Sequence, residues 1–203
     1  MILVREEYQA RFDQVLEPLA RQIEAEIRNL LEGEPRIDRI QARPKSVERF
    51  VEKASKSSES GEPKYKHPFL QNQDQVGVRI VVFYLSDVDR VSNIVEKYFR
   101  TAEAKTLVPE SEWSFGYFGK HYILLVPAEL KSESWAREKI PTVFELQIKT
   151  LFQHAWSEAN HDLGYKPETK TLEPDDLRRL AFTSAQAWGA DQSFEQLFKK
   201  ASC

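Results

Sequence analysis

Between Arg5 and Leu31 the apolar residues Tyr8, Phe12, Val15, Leu16, Leu19, Ile23, Ile27, Leu30 and Leu31 recur mainly in steps of three and four, which predicts an amphipathic helix with one buried face. Pro18 lies inside this pattern and has no backbone N–H to donate, so a kink or a division is expected there. Gly33 closes the helix. Arg36 to Ala42 then reads as a short strand, and Pro44 leads into a helix over about residues 45–54. Over residues 55–70 serine, glycine and proline break any period, which predicts a loop. The β-branched and aromatic run from Val76 to Leu85 is the strongest strand in the chain. Ser86-Asp87-Val88-Asp89 then caps a helix running to about Phe99. Further strands are expected near residues 104–108, 118–127 and 142–149, and helices over about 150–163 and 174–199.

Helices and strands are thus interleaved, with no internal repeat and no second compositional regime. That order predicts one α+β or α/β domain over residues 1–203. A length of 203 residues suits a single domain, and 41% hydrophobic residues with 30% charged ones are ordinary for a globular chain. The net charge of −3 excludes a surface built throughout to grip a nucleic-acid backbone and leaves room only for a local basic patch. Cys203 is the only cysteine, so neither a disulfide framework nor a multi-cysteine zinc site is available, which points to a reducing compartment. The first apolar run ends at Arg5, and no stretch approaches the roughly 20 apolar residues of a spanning helix. A cytoplasmic protein without a membrane is expected.

Two carboxylates stand against strands: Asp74, just before Val76, and Glu145, inside the strand around residues 142–149. An acid in a strand of buried character is costly unless it is paired, exposed on a cleft or bound to metal. Meeting at one end of a sheet, the two can hold Mg²⁺ and activate a hydroxyl, as phosphoryl-type transfer requires. On spacing alone, a plainer account carries more weight, with Asp74 capping a turn and Glu145 on a solvated strand face. Lys45, Arg49 and Lys53 form a positive stripe beside Arg43 that suits a polyphosphate. Glu48 and Glu52 on the same helix equally allow a solvated, salt-bridged face. With no glycine-rich phosphate loop, any phosphate site must be built from side chains.

Around Tyr117, Gly116 and Gly119 let backbone approach a ligand and leave the ring free to stack on a base, while His121 begins a strand, where a satisfied structural histidine is the alternative. His154, Glu158, His161 and Tyr165 share one helix face. The zinc-protease pattern is absent, so a polar face packed behind the active sheet is expected there. His161-Asp162 lacks the further ligands of a metal-dependent phosphohydrolase.

Each segment is weak alone; their order is specific. Arg43-x-Lys45, Lys53, Asp74-x-x-Gly77-x-Arg79, Gly116-Tyr117 with His121, Glu145-x-Gln147-x-Lys149-Thr150, His161 and Tyr165-Lys166 together resemble the synthetase domain of the RelA/SpoT family, the (p)ppGpp alarmone synthetases. The resemblance covers about residues 40–170. It implies a nucleotidyltransferase-like α+β fold, a mixed sheet flanked by helices, with residues 1–35 as an N-terminal helical region, 36–170 as the catalytic core and 171–203 as a C-terminal helix. It also implies Mg²⁺-dependent transfer of the β,γ-pyrophosphate of ATP to the 3′-hydroxyl of GDP or GTP. By the same resemblance Arg43, Lys45, Lys53 and Arg79 bind ATP and its phosphates, with Arg49 beside them, and Asp74 holds the metal. Tyr117 stacks on the acceptor base near His121, and Glu145 acts as general base or shares the metal, flanked by Gln147 and Lys149.

The chain departs from the family pattern at four positions. Arg49 replaces a usual serine, Lys149 a usual arginine, and Trp113 and Phe115 stand where lysine and asparagine often meet the acceptor's phosphates. These departures leave one alternative to GDP or GTP as acceptor, a toxin-like member acting on adenosine nucleotides or on the 3′ end of tRNA. A non-catalytic nucleotide- or RNA-binding module is a third reading, disfavoured because Asp74 and Glu145 both stand at the expected motif positions. A homo-oligomer formed through the terminal helices, and a neutralising protein partner, belong to the same set of expectations.

Overall fold

The structure is a computed structural model that describes residues 2–58, 61–106, 119–164 and 172–202. The N-terminal stripe folds as α1 (Ile2–Arg11), a single π turn (Phe12–Leu16) and α2 (Glu17–Leu30). The chain widens ahead of Pro18 rather than breaking at it: the N–H of Glu17 reaches back to the carbonyl of Phe12, and the proline falls in the first turn of α2, where its missing donor leaves no bond unmade. Tyr8, Val15, Leu16, Leu19, Ile23 and Ile27 are buried along this face. Each such side chain contributes roughly 1.5–3 kcal/mol relative to remaining exposed.

Five strands form one mixed sheet: β1 (Ile37–Pro44), β2 (Val76–Val82), β3 (Thr101–Thr106), β4 (Lys120–Leu125) and β5 (Val143–Thr150). Their order is β1-β2-β5-β4-β3, with β2 and β5 parallel and every other neighbouring pair antiparallel. The helices that follow are α3 (Val47–Ala54), α4 (Pro68–Gln71), α5 (Leu85–Tyr98), α6 (Leu151–Gly164) and α7 (Pro174–Ala201). The strand expected from Val76 to Leu85 stops at Val82, and α5 starts earlier than its sequence suggested. The cause is Asp87, a buried carboxylate that accepts the N–H of Tyr84 and is gripped by Arg36 and Arg90.

The sheet has two unlike faces. Ile40, Val78, Ile80, Tyr122, Leu124, Leu146 and Ile148 are buried in the core beneath α2 and α5. On the other face the cross-strand pairing aligns Gln41, Arg79, Gln147 and His121 in one row and Arg43, Gly77, Glu145 and Ile123 in the next. α6 crosses this polar face beside β5 and β2, and α7 packs on α6 and α5. Thr150 ties α7 to the β5–α6 junction, its hydroxyl donating to the buried Asp191 carboxylate at 2.5 Å. Among the described residues no helix is long and apolar enough to cross a membrane.

Candidate active site

The polar rows of the sheet open into a cavity of about 320 Å³. β1 supplies Arg43 and the turn after it Lys45; β2 supplies Arg79, and β5 supplies Glu145 and Gln147. Asp74 enters from the turn before β2, and Arg49 from the first turn of α3. The period of two along β5 is what puts Glu145 and Gln147 on the same face, and the parallel pairing with β2 sets Gly77 opposite Glu145 and Arg79 opposite Gln147.

Lys45 and Lys53 converge on Asp74: Lys45 Nζ lies 2.8 Å from Oδ2 and Lys53 Nζ 3.0 Å from Oδ1. Lys45 stands just ahead of the helix, since Ser46 is the cap and its hydroxyl accepts the N–H of Arg49. Burial raises the Asp74 carboxyl, and the hydrogen bonds and charges of the two lysines outweigh it and hold the group below the ordinary carboxylate range. Glu145 behaves alike. Burial raises it, the hydrogen bond and charge of His121 with a further hydrogen bond from Gln147 lower it more, and the nearby charge of Asp74 pushes it back up. His121 Nδ1 is 3.2 Å from Glu145 Oε1. Both acids are therefore ionised near neutral pH.

On the opposite wall Arg79 is clamped from α6, donating to Glu158 Oε1 at 2.6 Å with His154 Nδ1 3.3 Å away. His154 and Glu158 line the cavity itself, contrary to the expectation of a polar face behind the sheet. Their i, i+4 spacing was legible; that α6 folds over the polar face of the sheet was not. Lys149, expected beside the acceptor, is buried at 4% exposure with Nζ 3.0 Å from Ser157 Oγ. Burial, aided by the charge of Arg79, lowers its ammonium from the ordinary 10.5 to about 8.

Gly119 is required for a different reason than ligand access. A Cβ at this position would lie 2.2 Å from the carbonyl oxygen of Ile148 and 2.6 Å from Lys149 Cγ, so glycine lets the start of β4 press against β5. Tyr117, together with Trp113, Phe115, Gly116, Tyr165 and Lys166, lies outside the described residues.

Several buried polar atoms face this region without a hydrogen-bond partner among the described residues: Asp74 Oδ1, Gln147 Oε1, His121 Nε2 and Arg79 Nε. Lys53 Nζ is close to Asp74 Oδ1 but poorly aligned with it. An acceptor left over on the ionised Asp74, beside the ionised Glu145, suits a hard divalent cation such as Mg²⁺, which takes one or two protein carboxylates and completes its shell from phosphates and water. Among the described residues no group of three or more His, Cys, Asp or Glu side chains is placed to hold a metal alone.

The chain is similar to known proteins over most of its length. Residues 42–170 match the family described as the region found in RelA / SpoT proteins. The GTP pyrophosphokinase YjbM of Bacillus subtilis (strain 168) is 29% identical over 163 residues, covering 79% of this chain and 72% of the relative. The GTP pyrophosphokinase YwaC of the same organism is 26% identical over 140 residues, covering 68% of this chain and 63% of the relative. Among solved structures, the small alarmone synthetase 1 from Bacillus subtilis bound to its product pppGpp superposes with a TM-score of 0.73 at 24% identity, covering 98% of each chain. The small alarmone synthetase 2 from Bacillus subtilis superposes with a TM-score of 0.68 at 21% identity over 89% of this chain and 90% of that one. At these identities the structural likeness establishes the shared fold.

Proposed function

Because the chain belongs to the family of the region found in RelA / SpoT proteins, we propose that it is a pyrophosphotransferase that moves the β,γ-pyrophosphate of ATP to the 3′-hydroxyl of GDP or GTP, making (p)ppGpp. The observation that carries this reading is the convergence of two ionised carboxylates, Asp74 and Glu145, with Arg43, Lys45, Arg49 and Arg79 around one cavity. Lys53 joins them through its ion pair with Asp74. Pyrophosphoryl transfer needs positioning and charge neutralisation more than covalent chemistry.

In this reading the cations hold the triphosphate, and Asp74 with Glu145 holds Mg²⁺, which when bound neutralises charge developing on the transferred group. A phosphate that takes over Lys45 and Lys53 frees Asp74 for the metal. A carboxyl held below its ordinary range accepts a proton poorly, which favours metal holding for Glu145 over an unaided base role. Its contact with His121 Nδ1 sets an imidazole beside it to share a proton taken from the acceptor hydroxyl. Gln147 and His121 orient the acceptor side, and the Tyr117 ring stacks on its base.

Residues 1–203 act as one synthetase domain in this reading, since α2 packs on β1 and β2 and α7 on α5 and α6. A cytoplasmic site fits nucleotide substrates. A homo-oligomer through α7 fits its exposed Leu177, Phe182, Trp188, Phe194 and Leu197.

The test is a labelled-ATP acceptor panel of GDP, GTP, AMP and tRNA, with Mg²⁺ and with chelator. Label appearing on GDP or GTP only when Mg²⁺ is present is the expected result. Transfer confined to AMP or tRNA overturns the acceptor, and no ATP turnover with any acceptor overturns the enzyme.

A further inference from the structure

The helix α1 lies outside the family-matched region, yet two of its side chains reach the segments that carry the site. Tyr8 and Arg11 are both buried, at 0% and 4% exposure. The Tyr8 hydroxyl donates to the carbonyl of Lys45 at 3.0 Å, and the N–H of Lys45 donates to the carbonyl of Gln75 at 2.9 Å. The backbone of Lys45 is thus held on both sides, and its ammonium is aimed at Asp74, the residue before Gln75. The Tyr8 ring stacks on Phe50 with centroids 3.7 Å apart, which fixes the helix that presents Arg49 and Lys53. Burial raises the Tyr8 hydroxyl and the charge of Asp74 raises it further, so the two groups are electrostatically close and Tyr8 stays a neutral donor.

Arg11 performs the complementary task. Its Nη1 donates to Gln75 Oε1 at 3.0 Å, and its Nη2 donates to the carbonyl of Glu138. Gln75 Nε2 in turn donates to the carbonyl of Phe69 at 2.7 Å, and the Phe69 ring lies under the guanidinium at 4.9 Å. Gln75 follows Asp74 directly, and Glu138 lies in the turn that leads into β5 and Glu145. One planar guanidinium therefore bridges the entrances of the two parallel strands at the end where both carboxylates emerge.

We propose that Tyr8 and Arg11 are positioning residues, outside the matched family region, that set the spacing between Asp74 and Glu145 and aim Lys45. The proposal rests on the pyrophosphotransferase reading. A displacement of about 1 Å in such a constellation can lower turnover on the order of a hundredfold while the fold persists.

The variants are Tyr8→Phe, which keeps the ring stack and removes only the hydroxyl, and Arg11→Lys, which keeps a cation but cannot fork to both partners. Each is measured for melting temperature, for kcat and the KM of each substrate, and for the Mg²⁺ concentration giving half-maximal turnover. Expected are a kcat reduced roughly tenfold to a hundredfold, a several-fold higher Mg²⁺ requirement and a KM for the GDP acceptor within about twofold, in variants that remain folded. Magnesium-dependent binding of a non-hydrolysable ATP analogue, followed by calorimetry, should weaken in parallel. Unchanged kcat and Mg²⁺ requirement in folded variants overturn the inference, as does a loss of kcat matched only by a loss of folded protein. A wild-type chain that binds magnesium and the analogue but transfers nothing overturns the functional reading instead. The Mg²⁺ dependence of binding in the two variants then decides the inference alone.

Discussion

Replacing Lys149 by Met should make the protein more stable and its stability less dependent on alkaline pH. Lys149 is 4% exposed, and its ammonium is lowered from 10.5 to about 8, first by burial and then by the charge of Arg79. Below the folded value the lysine is charged in both folded and unfolded chains, and folding bears the whole cost of burying the ammonium. Between about 8 and 10.5 the folded chain sheds a proton that the unfolded chain keeps, so stability rises with pH across that window. The full difference of 2.5, taken as 10.5 less 8, corresponds to about 3 kcal/mol. Methionine removes that cost and fills a similar volume, at the loss of one hydrogen bond to Ser157 worth about 1 kcal/mol. Ser157 keeps its own bond to the carbonyl of Gln153. A net gain of about 2 kcal/mol is expected near neutral pH, and with a urea slope of roughly 2 kcal/mol per M this moves the midpoint up by about 1 M. At about pH 9.5 the wild-type lysine is largely neutral when folded, and the gap between the two proteins should narrow by about 2 kcal/mol. Urea titrations of both proteins without nucleotide, at the two pH values, measure it. A variant less stable than wild type near neutral pH, or a gap of equal size at both, would refute a net cost of burying this ammonium.

Glu145→Gln keeps the size of the side chain and removes the charge, so turnover should fall by about 10²–10⁴ with the melting temperature little changed; near-normal turnover would exclude the carboxylate from the chemistry. Gly119→Ala drives a methyl into the Ile148 backbone and should cost about 1–3 kcal/mol, read as a lower melting temperature, and an unchanged melting temperature would mean that β4 and β5 are not packed as closely as described. Thr150→Val removes the hydroxyl that donates to Asp191 and accepts the N–H of Gln153. Removing one hydrogen bond to that buried carboxylate should cost about 1–3 kcal/mol in urea unfolding, and an unchanged midpoint would count against it.

The periodicities of the chain determined most of its elements. The period of two in Phe144-Glu145-Leu146-Gln147-Ile148 assigned the two polar residues to one face and the apolar ones to the core, and the helical stripe of residues 8–31 marked which side of that helix would be buried. The order of the motifs along the chain, from Arg43-x-Lys45 through Asp74, Tyr117 and Glu145 to Tyr165-Lys166, was enough to suggest the family. What no local pattern contains is the sheet order. β2 and β5 are parallel neighbours although some sixty residues separate them, and only that pairing brings Asp74 and Glu145 to one end of the sheet. The same non-local packing turned His154 and Glu158 toward the cavity and drew Lys149 out of water. It also gave Tyr8, one more apolar position in the stripe, a hydroxyl aimed at the backbone of Lys45. Burial along one element is a property of spacing, which the sequence carries. Which charged group meets which depends on how elements distant in the chain are laid against one another, and that is settled only when the core closes.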